Sequence, residues 1–259
     1  MILTHRTNSS RMFESSKQFL RSFHTFRALL KEKPTNLKGK KHSSQQWLSR
    51  QFKDPYVEKA RQENYRCRSA FKLLEINRKH RILSPGLHVV DCGAAPGSWT
   101  QVATQLTNSH GKMLGEQVGK VIAIDKLPIH PIEGATVYGN LDFTTEDAQN
   151  ILKAALGGKF VEVVMSDMAP NASGVRDLDH ENIIKLAYMA FKFAIEVSCY
   201  EGTFIVKVWD GHKCPKLEED LARFFRNVKI ARPQATRDES SEKFIIARGF
   251  KGLRTKADL

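Results

Sequence analysis

The sequence predicts an α/β domain built on a mostly parallel sheet of about seven strands, with helices on both faces and an antiparallel last strand. Three observations carry that prediction. From about residue 54, short apolar runs alternate with segments of helical spacing, the pattern of successive strand–helix units. Several of those runs end in an aspartate, where an open sheet delivers polar groups to a ligand crevice. Two further apolar runs near the C-terminus lie close enough to pair as a hairpin. With 259 residues, 41% of them hydrophobic, the chain can bury a sizeable core.

The first 53 residues stand apart. They hold twelve Lys and Arg against Glu14 and Glu32, a balance of +10 in a chain whose total is +13. Phe19, Leu20, Phe23, Phe26 and Leu30 share one helical face, with Lys17, Arg21 and His24 opposite. An Arg-rich, Ser-rich, acid-poor amphipathic stretch over residues 1–40 reads as a mitochondrial transit peptide, with the matrix as destination. A basic arm that binds RNA is the alternative, and both hold if cleavage precedes KGKKHSSQQW. The folded domain is expected over 46–251.

Within it, RSAFKLLEINRKH (68–80) has helical spacing, with Phe71, Leu74 and Ile76 apolar. LHVVD (87–91) is a strand, followed by a Gly-rich turn and a helix from about Ser98. The polar, Gly-containing segment 107–120 reads as a surface loop. KVIAID (120–125) and ATVYG (135–139) are the next strands, and FVEVVMSDMAP (160–170) the fourth. SGVRDLDHEN (173–182) is polar and follows a strand end, the usual place for a mobile substrate loop. An amphipathic helix over about 181–199 leads to GTFIVKVW (202–209), and NVKIAR and SEKFIIARGF form the terminal pair. Four cysteines without C-x-x-C spacing argue against a zinc site or a disulfide framework and fit a reducing compartment. No run of about 18 apolar residues predicts a membrane span.

The turn after the first strand, GAAPG at 93–97, is cleared of large side chains, which lets backbone approach a ligand. Its spacing is not G-x-G-x-x-G, Pro96 removes a donor from any phosphate cradle, and no Lys–Ser/Thr pair follows. Asp125, at the end of the second strand, suits a ribose diol. Asp91, Asp142 and Asp167 also fall at or just after strand ends and could converge on the same crevice; for Asp91 and Asp142, simple turn capping competes equally. A cofactor with adenosine, no phosphates and cationic groups suits such an acidic crevice, and S-adenosylmethionine is one. A nicotinamide dehydrogenase is the weaker competing reading.

Lys207 sits inside an otherwise apolar strand, where an ammonium rarely lies without a partner. Asp167 would lie beside it if the fourth and fifth strands are neighbours. Glu242 introduces the last strand and Lys72 lies on the helix ahead of the first, so two lysines and two carboxylates could form a charge-balanced cluster. A buried lysine that gives up its proton can serve as a general base; a snorkelling lysine is the alternative.

RCRSAFKLLEI, VVDCGAAPGSWTQV, VVMSDMAPNASG, GTFIVKVW and SSEKFIIARGFK, in that order, resemble the FtsJ-type S-adenosylmethionine-dependent RNA 2′-O-ribose methyltransferases, a Rossmann-like class I fold. The basic N-terminus makes the likeness greatest to the mitochondrial branch, which acts on a uridine ribose of large-subunit ribosomal RNA. The resemblance implies a catalytic tetrad of Lys72, Asp167, Lys207 and Glu242. It implies cofactor contacts at Pro96, Gly97, Ser98, Trp99, Asp125, Asp142 and Asp167, and no metal. It also implies large-subunit ribosomal RNA or a pre-ribosomal particle as partner to a monomer. Ser98 stands where the family often has a second glycine, and the 107–120 insert lengthens the approach to Asp125. An RNA-binding ribosome-assembly factor, with methylation secondary, is the rival from another class.

Overall fold

A computed structural model describes residues 54–253; the transit peptide expected over 1–40, and the start of the domain expected from 46, lie outside the described residues. Seven strands and six helices follow in the order α1 (Pro55–Gln62), α2 (Ala70–His80), β1 (His88–Cys92), α3 (Ser98–Leu106), β2 (Lys120–Ile124), β3 (Ala135–Tyr138), α4 (Glu146–Leu156), β4 (Val161–Ser166), α5 (Arg176–Val197), β5 (Ser198–Trp209), α6 (Cys214–Phe224), β6 (Phe225–Ala231) and β7 (Glu242–Phe250).

The strands form one sheet in the order β3-β2-β1-β4-β5-β7-β6. The first five pair in parallel, and β7 runs antiparallel between β5 and β6. The terminal pair is therefore a hairpin as expected, but its second strand is inserted beside β5 rather than added at the sheet's edge. Alternation explains the inner position: Phe244 and Ile246 point to one face and Ile245 and Ala247 to the other, all buried, which an edge strand would waste. β6 takes the edge instead, with Arg226, Asn227, Lys229 and Ile230 exposed.

The two sheet faces carry separate cores. On one, α2 and α3 cover Val89, Val163, Met165, Ile205, Phe244 and Ile246. On the other, α4, α5 and α6 cover Val90, Ile122, Val164, Phe204, Val206 and Ile245. β1 and β2 are buried on both faces, so Val89 and Val90, and Val121 to Ile124, are apolar in succession and show no alternation in sequence.

α4 carries ordinary helix signals. Thr145 caps it by accepting from the Ala148 N–H at 3.3 Å, Glu146 and Asp147 occupy the first turn, and Gly157 stops it at φ 63°. The polar segment 173–182 is only partly a loop. Its helix starts at Arg176, because Asp179 accepts from the backbone N–H groups of Ser173 (2.7 Å) and Gly174 (3.1 Å), turning the chain into α5. No described helix is long and apolar enough to cross a membrane. The four cysteines are free thiols.

Candidate active site

The sheet places the charged residues on one face. In β4 and β5, Val163, Met165 and Ile205 face α2 and α3, so the same alternation turns Asp167 and Lys207 toward that face at the carboxyl ends of their strands. The register pairs Ser166 with Val206, which brings the next residues, Asp167 and Lys207, side by side. The Lys207 ammonium lies 3.0 Å from Asp167 Oδ1 and donates to the Asp167 carbonyl oxygen at 2.5 Å. The contact with Oδ1 is one of charge without an aligned hydrogen bond, so that oxygen keeps its lone pairs uncommitted. Lys207 is 8% exposed. The expected neighbourhood of the two strands holds.

Lys72, on the first turn of α2, meets Glu242, the first residue of β7, at 2.5 Å. Both side chains are largely buried. The two ion pairs share a floor. Phe244 is the cross-strand partner of Lys207, and the Lys72 ammonium lies 5.9 Å over its ring. Phe244 looks like one more core residue in sequence, since its alternation matches that of Ile246. An ion pair buried this way adds little net stability while intact, but loss of one partner strands a charge at a cost of about 3–5 kcal/mol.

Beside this cluster opens a cleft of about 450 Å³ at the carboxyl ends of the strands. Asp125, Asp142, Asp167 and Lys207 line it, together with Gly93, Ala95, Phe143 and Met168. Asp125 is fixed by both oxygens: Oδ2 accepts from the Ala95 N–H at 2.9 Å and Oδ1 from the Leu127 N–H at 2.7 Å. Each oxygen retains a lone pair for a ligand. Asp142 caps a turn and also lines the cleft, so its two readings are compatible. Its carboxyl is held below the usual range by hydrogen bonds from the Thr144 N–H and hydroxyl.

Asp91 does not converge with the other three. It is fully buried under the turn, with Oδ2 accepting from the Thr100 hydroxyl at 2.7 Å and Oδ1 without a partner. Burial, offset in part by Thr100 and reinforced by Asp167 and Asp125, raises its pKa to about 7.

The turn itself is cleared largely for the protein. A Cβ on Gly93 would stand 2.8 Å from the Met168 backbone, and one on Gly97 would stand 2.5 Å from Ile132 and 2.8 Å from Arg66. Arg66 explains the second clash, because its guanidinium donates to the carbonyls of Pro96, His130 and Pro131 and clips the turn to the 130–132 segment. Only Gly93 and Ala95 of the turn line the cleft; Pro96, Gly97, Ser98 and Trp99 do not. Ser98 is buried within hydrogen-bond reach of Ser69 and Cys67, at 2.7 Å and 3.0 Å. Trp99 is a core residue: its ring packs 5.4 Å from Phe244 and its Nε1–H donates to the Ser69 carbonyl at 2.9 Å. The indole thus ties the start of α2, with Lys72, to β7, with Glu242. Sequence reasoning missed Cys67, Ser69, Phe143 and Met168 as lining residues, since they sit on loops or helix ends with no periodicity.

This strand order, with a lysine–carboxylate cluster beside an acidic cleft at the strand ends, defines a Rossmann-like methyltransferase. A family model described as "FtsJ-like methyltransferase" matches residues 65–250. The chain is 54% identical over 222 residues to "rRNA methyltransferase 2, mitochondrial" of Drosophila melanogaster, covering 86% of this chain and 89% of that one. It is 45% identical over 223 residues to "Ribosomal RNA large subunit methyltransferase E" of Ruegeria pomeroyi, covering 86% and 95%. A crystal structure of a ribosomal RNA methyltransferase from Plasmodium falciparum superposes with a TM-score of 0.64 at 27% identity, covering 73% of this chain and all of the other. The chain belongs to the FtsJ-like methyltransferase family and is an RNA methyltransferase.

Proposed function

We propose that the protein transfers a methyl group from S-adenosylmethionine to the 2′-hydroxyl of a uridine ribose in mitochondrial large-subunit ribosomal RNA, supporting ribosome assembly. The observation that carries the reading is the Lys207–Asp167 pair, nearly enclosed and open to the acidic cleft. The relatives' names supply the RNA class, and the +10 balance of residues 1–53 supports mitochondrial import to the matrix.

The cleft fits the cofactor. Its volume lies within the range of small-molecule sites. Asp125 has lone pairs to spare for a ribose diol, Asp142 and Asp167 suit cationic groups, and Phe143 and Met168 offer apolar surface to a base. The backbone of 96–99 contributes by holding the turn, with Gly97, Ser98 and Trp99 packed behind it. Bound there, S-adenosylmethionine supplies an electrophilic methyl group.

The chain's own residues must present the nucleophile. A ribose hydroxyl is a poor nucleophile at neutral pH and needs its proton removed as the new bond forms. Lys207, as the neutral amine, is the base in this reading and becomes an ammonium on taking the proton, with the Asp167 carbonyl oxygen orienting its nitrogen. Lys72, held by Glu242 and resting on Phe244, orients the hydroxyl. Alignment of hydroxyl and methyl supplies much of the rate. The test is a map of 2′-O-methylation across mitochondrial ribosomal RNA from cells with and without the protein. One large-subunit uridine should lose its mark; an unchanged map contradicts the reading.

A further inference from the structure

A second charged surface lies outside the cleft, in the groove between α2 and the β6 edge. Two adjoining concavities there, of about 470 and 360 Å³, meet at His80. Arg78 and Lys79 reach them from the last turn of α2, Lys229 from β6, Arg232 from the loop after it and Arg248 from β7. Among the described residues, none of these five cations forms an ion pair, and all are exposed. Both carboxylates lining the groove already have partners within it. Glu75 accepts from the N–H groups of Gln234 and Ala235, and Glu201 pairs with Arg226 at 2.7 Å.

Two of the five cations, Arg232 and Arg248, are also held in place. Arg232 donates one nitrogen to the carbonyls of Asp238 and Ser240, and Arg248 donates one to the His80 carbonyl. Each keeps further N–H donors on an exposed guanidinium, a planar fork that suits phosphate. Burial holds the His80 imidazole below its ordinary pKa, and repulsion from Lys79, Lys229 and Arg248 adds to that, so those charges crowd one spot. A free protein gains nothing from such crowding, whereas an anion laid along the groove would relieve it.

Position supplies the ligand class. α2 carries Lys72 at its start, the groove opens one turn on at Glu75, and His80 lies about 12 Å along the axis from Lys72. That length spans a few consecutive phosphates of one strand. We propose that the α2–β6 groove is an RNA-docking surface that grips the sugar–phosphate backbone of ribosomal RNA leading away from the target ribose. The proposal rests on the methyltransferase reading above.

The test compares the full chain with Arg78→Gln/Lys79→Gln/Lys229→Gln, binding a large-subunit ribosomal RNA transcript by fluorescence anisotropy between about 50 and about 200 mM salt. Three lost phosphate contacts at about 0.7 each should flatten the log–log salt slope by about 2 and weaken binding about 100-fold at about 0.1 M salt. S-adenosylmethionine affinity by calorimetry should not change, which also reports that the variant is folded. Lys192→Gln, exposed on α5 on the far face of the sheet, should keep the native slope. Native affinity and slope in the triple variant would overturn the proposal. So would a variant that keeps its RNA affinity yet no longer captures an acidic large-subunit protein, since the groove would then serve a protein partner. If the native chain methylates no ribose in this transcript but the slope still falls in the triple variant, the methyltransferase reading fails and the groove stands.

Discussion

Replacing Asp91 by asparagine should make the protein more stable, and more so as the pH rises. The carboxyl is fully buried, its one hydrogen bond comes from Thr100, and its Oδ1 has no partner. Its pKa of about 7 in the folded chain compares with an ordinary value of 3.8. The folded state therefore binds the proton more tightly than the unfolded state. The associated stability is complete below about pH 4 and is lost progressively as the pH rises to about 7. At about 1.4 kcal/mol per pKa unit, the interval corresponds to about 4 kcal/mol at most above neutrality, and relaxation around the site should bring it to about 2–3. An asparagine keeps the acceptor for Thr100, has nearly the same shape and never ionises. Urea unfolding of both proteins at pH 5 and pH 8 measures the effect. The Asp91→Asn variant should gain roughly 2 kcal/mol on the native chain between those two conditions. A difference that stays constant with pH would refute the buried-acid argument, and destabilisation at both pH values would show that Oδ1 has a partner an amide cannot replace.

Two further substitutions test the packing around the site. Gly93→Ala places a Cβ against the Met168 backbone at φ +79°, so it should cost about 2 kcal/mol or more in denaturant unfolding even without cofactor; an unchanged midpoint would mean that the turn is cleared for the ligand alone. Lys72→Met should destabilise by about 3 kcal/mol or more by stranding Glu242, and adding Glu242→Leu should recover most of that stability while methyl transfer stays lost. Recovery of activity in the double variant would remove the pair from the chemistry.

The parts of this fold that can be read from the sequence are those where burial leaves a simple mark. β1 and β2 are enclosed on both faces, so they stand out as apolar runs, and the observed His88–Cys92 lies within one residue of the expected strand. Lys207 and Asp167 stand out for the converse reason, as lone charges in such runs. α4 and α6 escape the periodicity reading, although Thr145, the acidic first turn and Gly157 mark α4 plainly; their apolar faces are narrow, three buried residues each. The split of 173–182 between loop and helix depends on one side chain, Asp179, folding back on Ser173. The glycine turn announces that space is needed but not what fills it, and the neighbours Met168, Ile132 and Arg66 come from distant sequence. Trp99 carries the same ambiguity, since an indole after a ligand turn can face either the ligand or the core, and here it packs on Phe244.

Whether Lys207 takes the proton of the ribose hydroxyl is tested most directly by single-turnover methyl transfer to ribosomal RNA lacking the mark. Lys207→Ala should leave S-adenosylmethionine affinity within a few-fold and slow transfer by at least about two orders of magnitude, the scale of a lost general base. Lys207→Arg should be nearly as slow, because a guanidinium stays protonated and cannot accept the proton. Substantial transfer by Lys207→Arg would contradict the assignment and leave Lys207 as a positioning charge beside Asp167.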